Sequence, residues 1–148
     1  VLTVLDNSTT AMTGHQPHPG TGRTVMGEIV QKINIEQVLR GIGVSEIETV
    51  NPLDLNASVA CVQKMTEKSG VKAIIFKSPC IAVTKPDTPL HVASDKCIGC
   101  KKCIKELGCP AIVLNDGNVY IDSSMCTGCG LCSQVCPVTA ITGGEDHE

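Results

Sequence analysis

Apolar and polar positions follow two different rhythms along this chain. Up to about residue 84 they come in long blocks. The opening run Val1–Leu5 reads as a parallel-type strand, apolar on both faces and buried. Residues 6–27 are polar and glycine-rich and read as a loop. Asn34, with Gln37 three residues on, has the pattern of a helix N-cap; it predicts a short helix through Arg40 that stops at Gly41 or Gly43. Residues 44–50 predict a second strand, and Asn51-Pro52 breaks the chain. From Asp54 to Ser69 the apolar residues Leu55, Val59, Val62 and Met65 recur at helical spacing, with Gly70 as the stop. Residues 71–77 form another apolar strand pattern. Strand, loop, helix, strand, helix, strand predicts part of a parallel α/β sheet.

The rhythm changes at "TKPDTP" (84–89), where two prolines suit a linker or an edge segment. The organisation expected is therefore an α/β part over 1–86 and a small α+β part over 87–148. The second part has short elements and one hairpin, 111–122, turning at Asn115-Asp116-Gly117. The cysteine groups flanking that hairpin look like an internal repeat.

Composition then narrows the chemistry. Phe76 and Tyr120 are the only aromatics, so the core is expected from Val, Ile, Leu, Ala and Cys. A net charge of −3 argues against nucleic acid as a main partner. No apolar run has the length of a membrane span and no basic-then-apolar leader is present, so a cytoplasmic protein is expected. A strand at residue 1, with Val rather than Met, suggests that more chain precedes it. Ten cysteines in a reducing compartment imply metal or redox chemistry rather than disulfides.

Their spacing decides between metals. "CIGCKKCIKELGCP" (97–110) is C-x2-C-x2-C-x5-C-P, and "CTGCGLCSQVCP" (126–137) is C-x2-C-x2-C-x3-C-P. Zinc favours C-x2-C pairs, whereas a [4Fe–4S] cluster takes three thiolates from one tight turn and, in two-cluster ferredoxins, the fourth from the other group. Cys97, Cys100, Cys103 and Cys136 are therefore assigned to one cluster, and Cys126, Cys129, Cys132 and Cys109 to the other. Gly99 and Gly128 stand where backbone must approach the cluster. Lys96, Lys101, Lys102 and Lys105 all flank the first group, and 126–137 carries no charge. They form either a solvated basic face or a device that raises one cluster's potential. Cys61 and Cys80 lie outside the groups and read as structural.

The loop is less specific. "PGTGRT" (19–24) fails the phosphate-loop template at Pro17 and Arg23. Asn7, Ser8, Thr9, Thr10 and Thr13 crowd oxygens after a strand end, where α/β proteins bind ligands. Such oxygens suit Mg2+ with a diphosphate, or simply a surface loop. His15 and His18 flank the loop and read as ordinary loop histidines or as substrate or proton handlers.

"LDNSTTAMTGHQPHPGTGRT" resembles the metal- and diphosphate-binding loop of the thiamine-diphosphate-dependent 2-oxoacid:ferredoxin oxidoreductases. "TTAMTGHQPHPG", "SPC" after strand 71–77 and the two cysteine groups are most similar to the alpha-subunit family of indolepyruvate:ferredoxin oxidoreductases, which ends in a fused two-cluster ferredoxin. The resemblance implies Asn7 as side-chain and Thr9 as backbone-carbonyl ligand of Mg2+, with Thr13 and Gly14 near thiamine diphosphate. It implies oxidative decarboxylation of an aryl 2-oxo acid, coenzyme A taking the acyl group and electrons passing through two [4Fe–4S] clusters to an external ferredoxin. A second, beta subunit is implied as partner. The family's Gly-Asp segment, which supplies a carboxylate to the metal, does not appear before residue 1, so this chain alone is expected to bind the cofactor poorly. Pyruvate as the 2-oxo acid, and a plain ferredoxin-type carrier, remain the alternatives.

Overall fold

The computed structural model describes residues 1–143. The chain divides into two compact units, Val1–Lys85 and Pro86–Glu148.

The first unit runs β1 (Leu2–Asp6), α1 (Ile35–Gly41), β2 (Glu46–Val50), α2 (Leu55–Glu67), β3 (Lys72–Lys77). The strands form a parallel sheet in the order β1-β3-β2, with Val4 and Thr49 both opposite Ile75. Both helices start on side-chain caps. Asn34 Oδ1 accepts the Gln37 N–H at 3.1 Å, and Asp54 Oδ1 accepts the Ala57 N–H at 2.9 Å. Central β3 is the buried strand. Its Ala73 and Ile75 join Leu39 and Val44 in a core cluster, with Val4, Ile35 and Ile47 packed against it. Ile74 points to the opposite face by strand alternation, and α2, carrying the fully buried Met65, packs on β3 and β2.

Several expectations are corrected here. β1 is not buried on both faces: Leu2 is exposed and Leu5 is 77% exposed, on an edge strand, while α2 packs on β3 and on β2 at the other edge. β2 begins at Glu46; Val44 is buried in the turn before it, after Gly43 at φ 95°. Along α2 only part of the apolar stripe meets the sheet, since Val59 and Val62 are exposed. The helix ends at Glu67, with Lys68 already extended, ahead of Gly70. The core includes methionine beside the aliphatic residues, while Cys61 is only half-buried. Nor is 6–27 a plain loop. Ala11–Thr13 form a 3-10 turn, Thr10 bridges Gln16, and Arg23 bridges Ile29. Val30 N–H to Gly22 O and Ile33 N–H to Pro19 O, both 3.0 Å, extend that pairing beyond residue 27.

The second unit repeats strand, cysteine turn, short helix, strand. The first copy is β4 (Leu90–Val92), α3 (Lys102–Leu107), β5 (Ile112–Asn115); the second is β6 (Asn118–Ile121), α4 (Leu131–Val135), β7 (Ile141–Gly143). β5 and β6 form the hairpin, turning at Asp116 (φ 49°) and Gly117 (φ 83°), the left-handed pair that a two-residue type I′ turn requires. β4 pairs antiparallel with β7, so the last strand of the second copy closes on the first strand of the first. Ala111, Ile112, Val119, Val135, Ala140 and Ile141 are buried in this unit. Among the described residues no helix is long and apolar enough to cross a membrane.

Candidate functional site

Each cysteine turn is wound by two left-handed residues. In the first they are Gly99 (φ 66°) and Lys101 (φ 59°); in the second, Gly128 (φ 72°) and Gly130 (φ 77°). Such alternation turns successive backbone N–H groups inward, forming a concavity of the kind that holds iron–sulfur groups. Lys101 and Gly130 are also the N-caps of α3 and α4, which carry the third cysteines, Cys103 and Cys132, into the interior. The fourth cysteine of each group follows its helix. Cys109 comes just after the left-handed Gly108, and Cys136 caps α4 in extended conformation.

This geometry places Cys136 beside the distant triplet. A small cavity is lined by Cys97, Cys100, Cys103 and Cys136, and otherwise mainly by apolar groups such as Val92, Val119 and Ile141. Burial pushes the Cys103 thiol up; nearby backbone N–H groups oppose that, and Cys100 and Cys136 add to it. In the second set burial pushes Cys132 up to about 11, with Cys129 and Cys126 adding to the shift and Cys109 completing the surroundings. The first set thus lines a cavity, and among the described residues no three His, Cys, Asp or Glu side chains form a group that would hold a single metal ion. Two backbone donors reach sulfur, Leu90 N–H to Cys126 Sγ at 3.4 Å and Ala140 N–H to Cys136 Sγ at 3.3 Å. Soft thiolates, an apolar lining and N–H···S donors fit an iron–sulfur cluster, whose iron would deprotonate the thiols outright. Sequence reasoning missed these donors, since any residue type can supply an N–H.

The oxygen-rich loop is pinned to the C-terminal ends of the strands. Asp6 O accepts the Ser78 N–H at 3.1 Å and Asn7 O accepts the Cys80 N–H at 2.9 Å, which gives "SPC" a structural task. Asn7 Oδ1 accepts the Thr9 N–H at 3.2 Å, and Thr9 is buried. A carboxamide oxygen has a second lone pair, so Asn7 retains an acceptor site and fits Mg2+ in donor type. Gly14, at φ 99°, caps the 3-10 turn that Thr13 ends; the Thr13 side chain lies outside what the structure describes. His18 Nδ1 accepts the Gly20 N–H at 3.1 Å, so that nitrogen serves the loop itself. His15 is exposed at φ 63°. A cleft of about 500 Å3 opens near the strand ends, lined by Asp6, Lys32, Asn34, Glu36, Thr49 and Lys77 among others. Asn7 and Thr9 are not in its lining. Asp6 and Lys77, 3.9 Å apart within it, escaped the sequence reading because their pairing depends on the β1–β3 register.

Residues 1–76 match the family model described as thiamine pyrophosphate enzyme, C-terminal TPP binding domain, and residues 90–142 match the 4Fe-4S dicluster domain. The chain is 43% identical over 143 residues to the indolepyruvate oxidoreductase subunit IorA of Methanothermobacter thermautotrophicus, covering 95% of this chain and 23% of the relative. It is 46% identical over 80 residues to the IorA subunit of Archaeoglobus fulgidus, 54% of this chain and 13% of the relative. For the Thermococcus kodakarensis subunit the identity is 39% over 116 residues, 73% of this chain and 18% of the relative. The chain thus spans less than a quarter of the length of these curated relatives. A sheet with its oxygen-rich loop and a unit with two cysteine turns correspond to two matched domains, and the chain belongs to the thiamine pyrophosphate enzymes, in the branch that joins the C-terminal TPP-binding domain to a 4Fe-4S dicluster domain as the indolepyruvate oxidoreductase IorA subunits do.

Proposed function

We propose that this chain serves a cytoplasmic 2-oxoacid:ferredoxin oxidoreductase that oxidatively decarboxylates indolepyruvate to its acyl-CoA, working with a beta subunit and passing electrons to an external ferredoxin. The observation that carries the reading is the union, in one chain, of a thiamine-diphosphate-binding domain with a dicluster domain in which Cys136 lines one cavity with Cys97, Cys100 and Cys103. When bound, thiamine diphosphate supplies an electron sink for decarboxylation and the clusters supply one-electron stores.

The chain's own residues divide the remaining work. Asn7 Oδ1 and the Thr9 carbonyl would hold Mg2+, with Thr13 and Gly14 near the diphosphate. Cys97, Cys100, Cys103 and Cys136 would hold one cluster, and Cys126, Cys129, Cys132 and Cys109 the other. Val92, Val119 and Ile141 give the first set an apolar lining on its inner side, and the Ala140 and Leu90 N–H groups orient two of the sulfurs. Tethering the relay to the decarboxylating part keeps it at high effective concentration.

The test is an anaerobic assay of the full-length gene product with its partner subunit, using a panel of 2-oxo acids, coenzyme A and a viologen acceptor. Coenzyme A-dependent viologen reduction with indolepyruvate is expected. Activity with pyruvate and none with aryl substrates would move the substrate assignment. Reducible clusters without turnover of any 2-oxo acid would leave an electron carrier.

A further inference from the structure

The two cysteine turns share a backbone but differ in cover and charge. At the first, Ile98 is 66% exposed, Gly99 and Cys100 are exposed, and no atom lies within 4 Å of where a Gly99 Cβ would stand. At the second, Cys129 is exposed like Cys100, but Thr127 and Gly128 are half-buried beneath Asp87 and Thr88, whose backbone atoms come within 2.8 Å of the corresponding Gly128 position. The first turn also bears Lys96, Lys102 and Lys105, all exposed, with Lys101 lining the cavity itself. Against them stand Asp95 and Glu106, the latter 3.7 Å from Lys102. The turn thus carries four lysines against two carboxylates, whereas 126–137 carries no charged side chain.

From this we infer that the first turn, around Ile98 to Lys105, is the docking face for an acidic one-electron iron–sulfur carrier protein. The inference rests on reading the cysteine sets as cluster sites. Electron tunnelling falls exponentially with distance, and a carrier can come closer at the open Ile98–Gly99 side of the first turn than at the roofed Thr127–Gly128 side of the second. Charge adds to this: an acidic carrier is drawn to the four lysines of the first turn, which the second turn does not have, and this steers encounter and fixes orientation. On docking, one electron leaves this chain's reduced centre and reduces the carrier's oxidised iron–sulfur centre; no bond is made or broken and no proton is required.

The internal repeat supplies the control. Lys105 follows Cys103 by two residues as Gln134 follows Cys132. Lys105→Gln and Gln134→Glu therefore make the chain more negative by one charge each at equivalent places. The measurement is calorimetric titration of the iron-loaded holoenzyme with an oxidised acidic ferredoxin at several salt concentrations. Lys105→Gln should raise Kd about threefold, the Lys102→Gln/Lys105→Gln pair about tenfold, and Gln134→Glu less than about 1.5-fold, with the differences fading as salt rises. Equal weakening by Lys105→Gln and Gln134→Glu, or wild-type affinity indifferent to salt, would overturn the inference. The titration needs no 2-oxo acid turnover, so an enzyme inactive on every 2-oxo acid yet showing this binding pattern would sink the proposed function and leave the docking face standing.

Discussion

The two cysteine turns solve one geometric problem with different residues. Both need left-handed backbone at the residue before the second cysteine and at the residue after it. The second turn uses glycine twice, Gly128 and Gly130; the first uses Gly99 and then Lys101. A left-handed lysine costs roughly 1–2 kcal/mol that glycine does not. The first turn carries that cost along with a basic, open surface, while the second is relaxed, uncharged and roofed by Asp87 and Thr88. Repetition fixes where the cysteines stand; the residues between them are free to set the surroundings of each turn.

The sharpest way to break the comparison is to remove the fourth cysteine of each group, proposed above as the crossing ligand. Cys136 lines the cavity of the first triplet, although it follows the second in sequence. Cys136→Ala is therefore expected to cost roughly half the iron and to empty the site of Cys97, Cys100 and Cys103, sparing that of Cys126, Cys129 and Cys132. Cys109→Ala should do the reverse. Iron determination with electron paramagnetic resonance of the reduced protein distinguishes them. Loss of the neighbouring site instead of the distant one would contradict the crossed arrangement.

A smaller effect separates the glycines. Gly99→Ala adds only left-handed strain, about 1–2 kcal/mol, since its surroundings are open. Gly128→Ala adds the same strain and drives a methyl into the Asp87–Thr88 backbone, a further 1–3 kcal/mol or so of overpacking. Chemical denaturation of the reconstituted full-length chain should rank Gly128→Ala clearly below Gly99→Ala. Equal stabilities would mean that the roof over the second turn bears no load.

What could be read from the chain, and what could not, follows from how local each feature is. The hairpin was legible because Asn115-Asp116-Gly117 is built for left-handed backbone, and α1 because Asn34 caps it from one turn away. The cysteine spacing carried its own geometry, since two-residue spacers force a tight turn. The edge position of β1 was illegible: strand order β1-β3-β2 is set by tertiary packing, and an apolar run looks the same at an edge as at a centre. The roof over Gly128 was hidden because Asp87 lies about forty residues away in sequence and no composition signals such a contact. The paired structure of the loop was missed for want of alternation, its bridges joining Thr10 to Gln16 and Arg23 to Ile29 without an apolar face.

The finest test exchanges the residues that differ. Gly130 has open space where a Cβ would stand, so Gly130→Lys should cost only its left-handed strain, on the order of 1 kcal/mol, and Lys101→Gly should return about as much. Charge moves with the same substitutions. A positive side chain beside a cluster favours its reduced, more negative state, so Lys101→Gly should lower the potential of the first cluster and Gly130→Lys raise that of the second. Thermal melts report the strain and redox titrations followed by electron paramagnetic resonance report the charge. If stability shifts as expected while both potentials stay put, the lysines serve the surface alone; shifted potentials would show that the asymmetry of the two turns extends to their electrons.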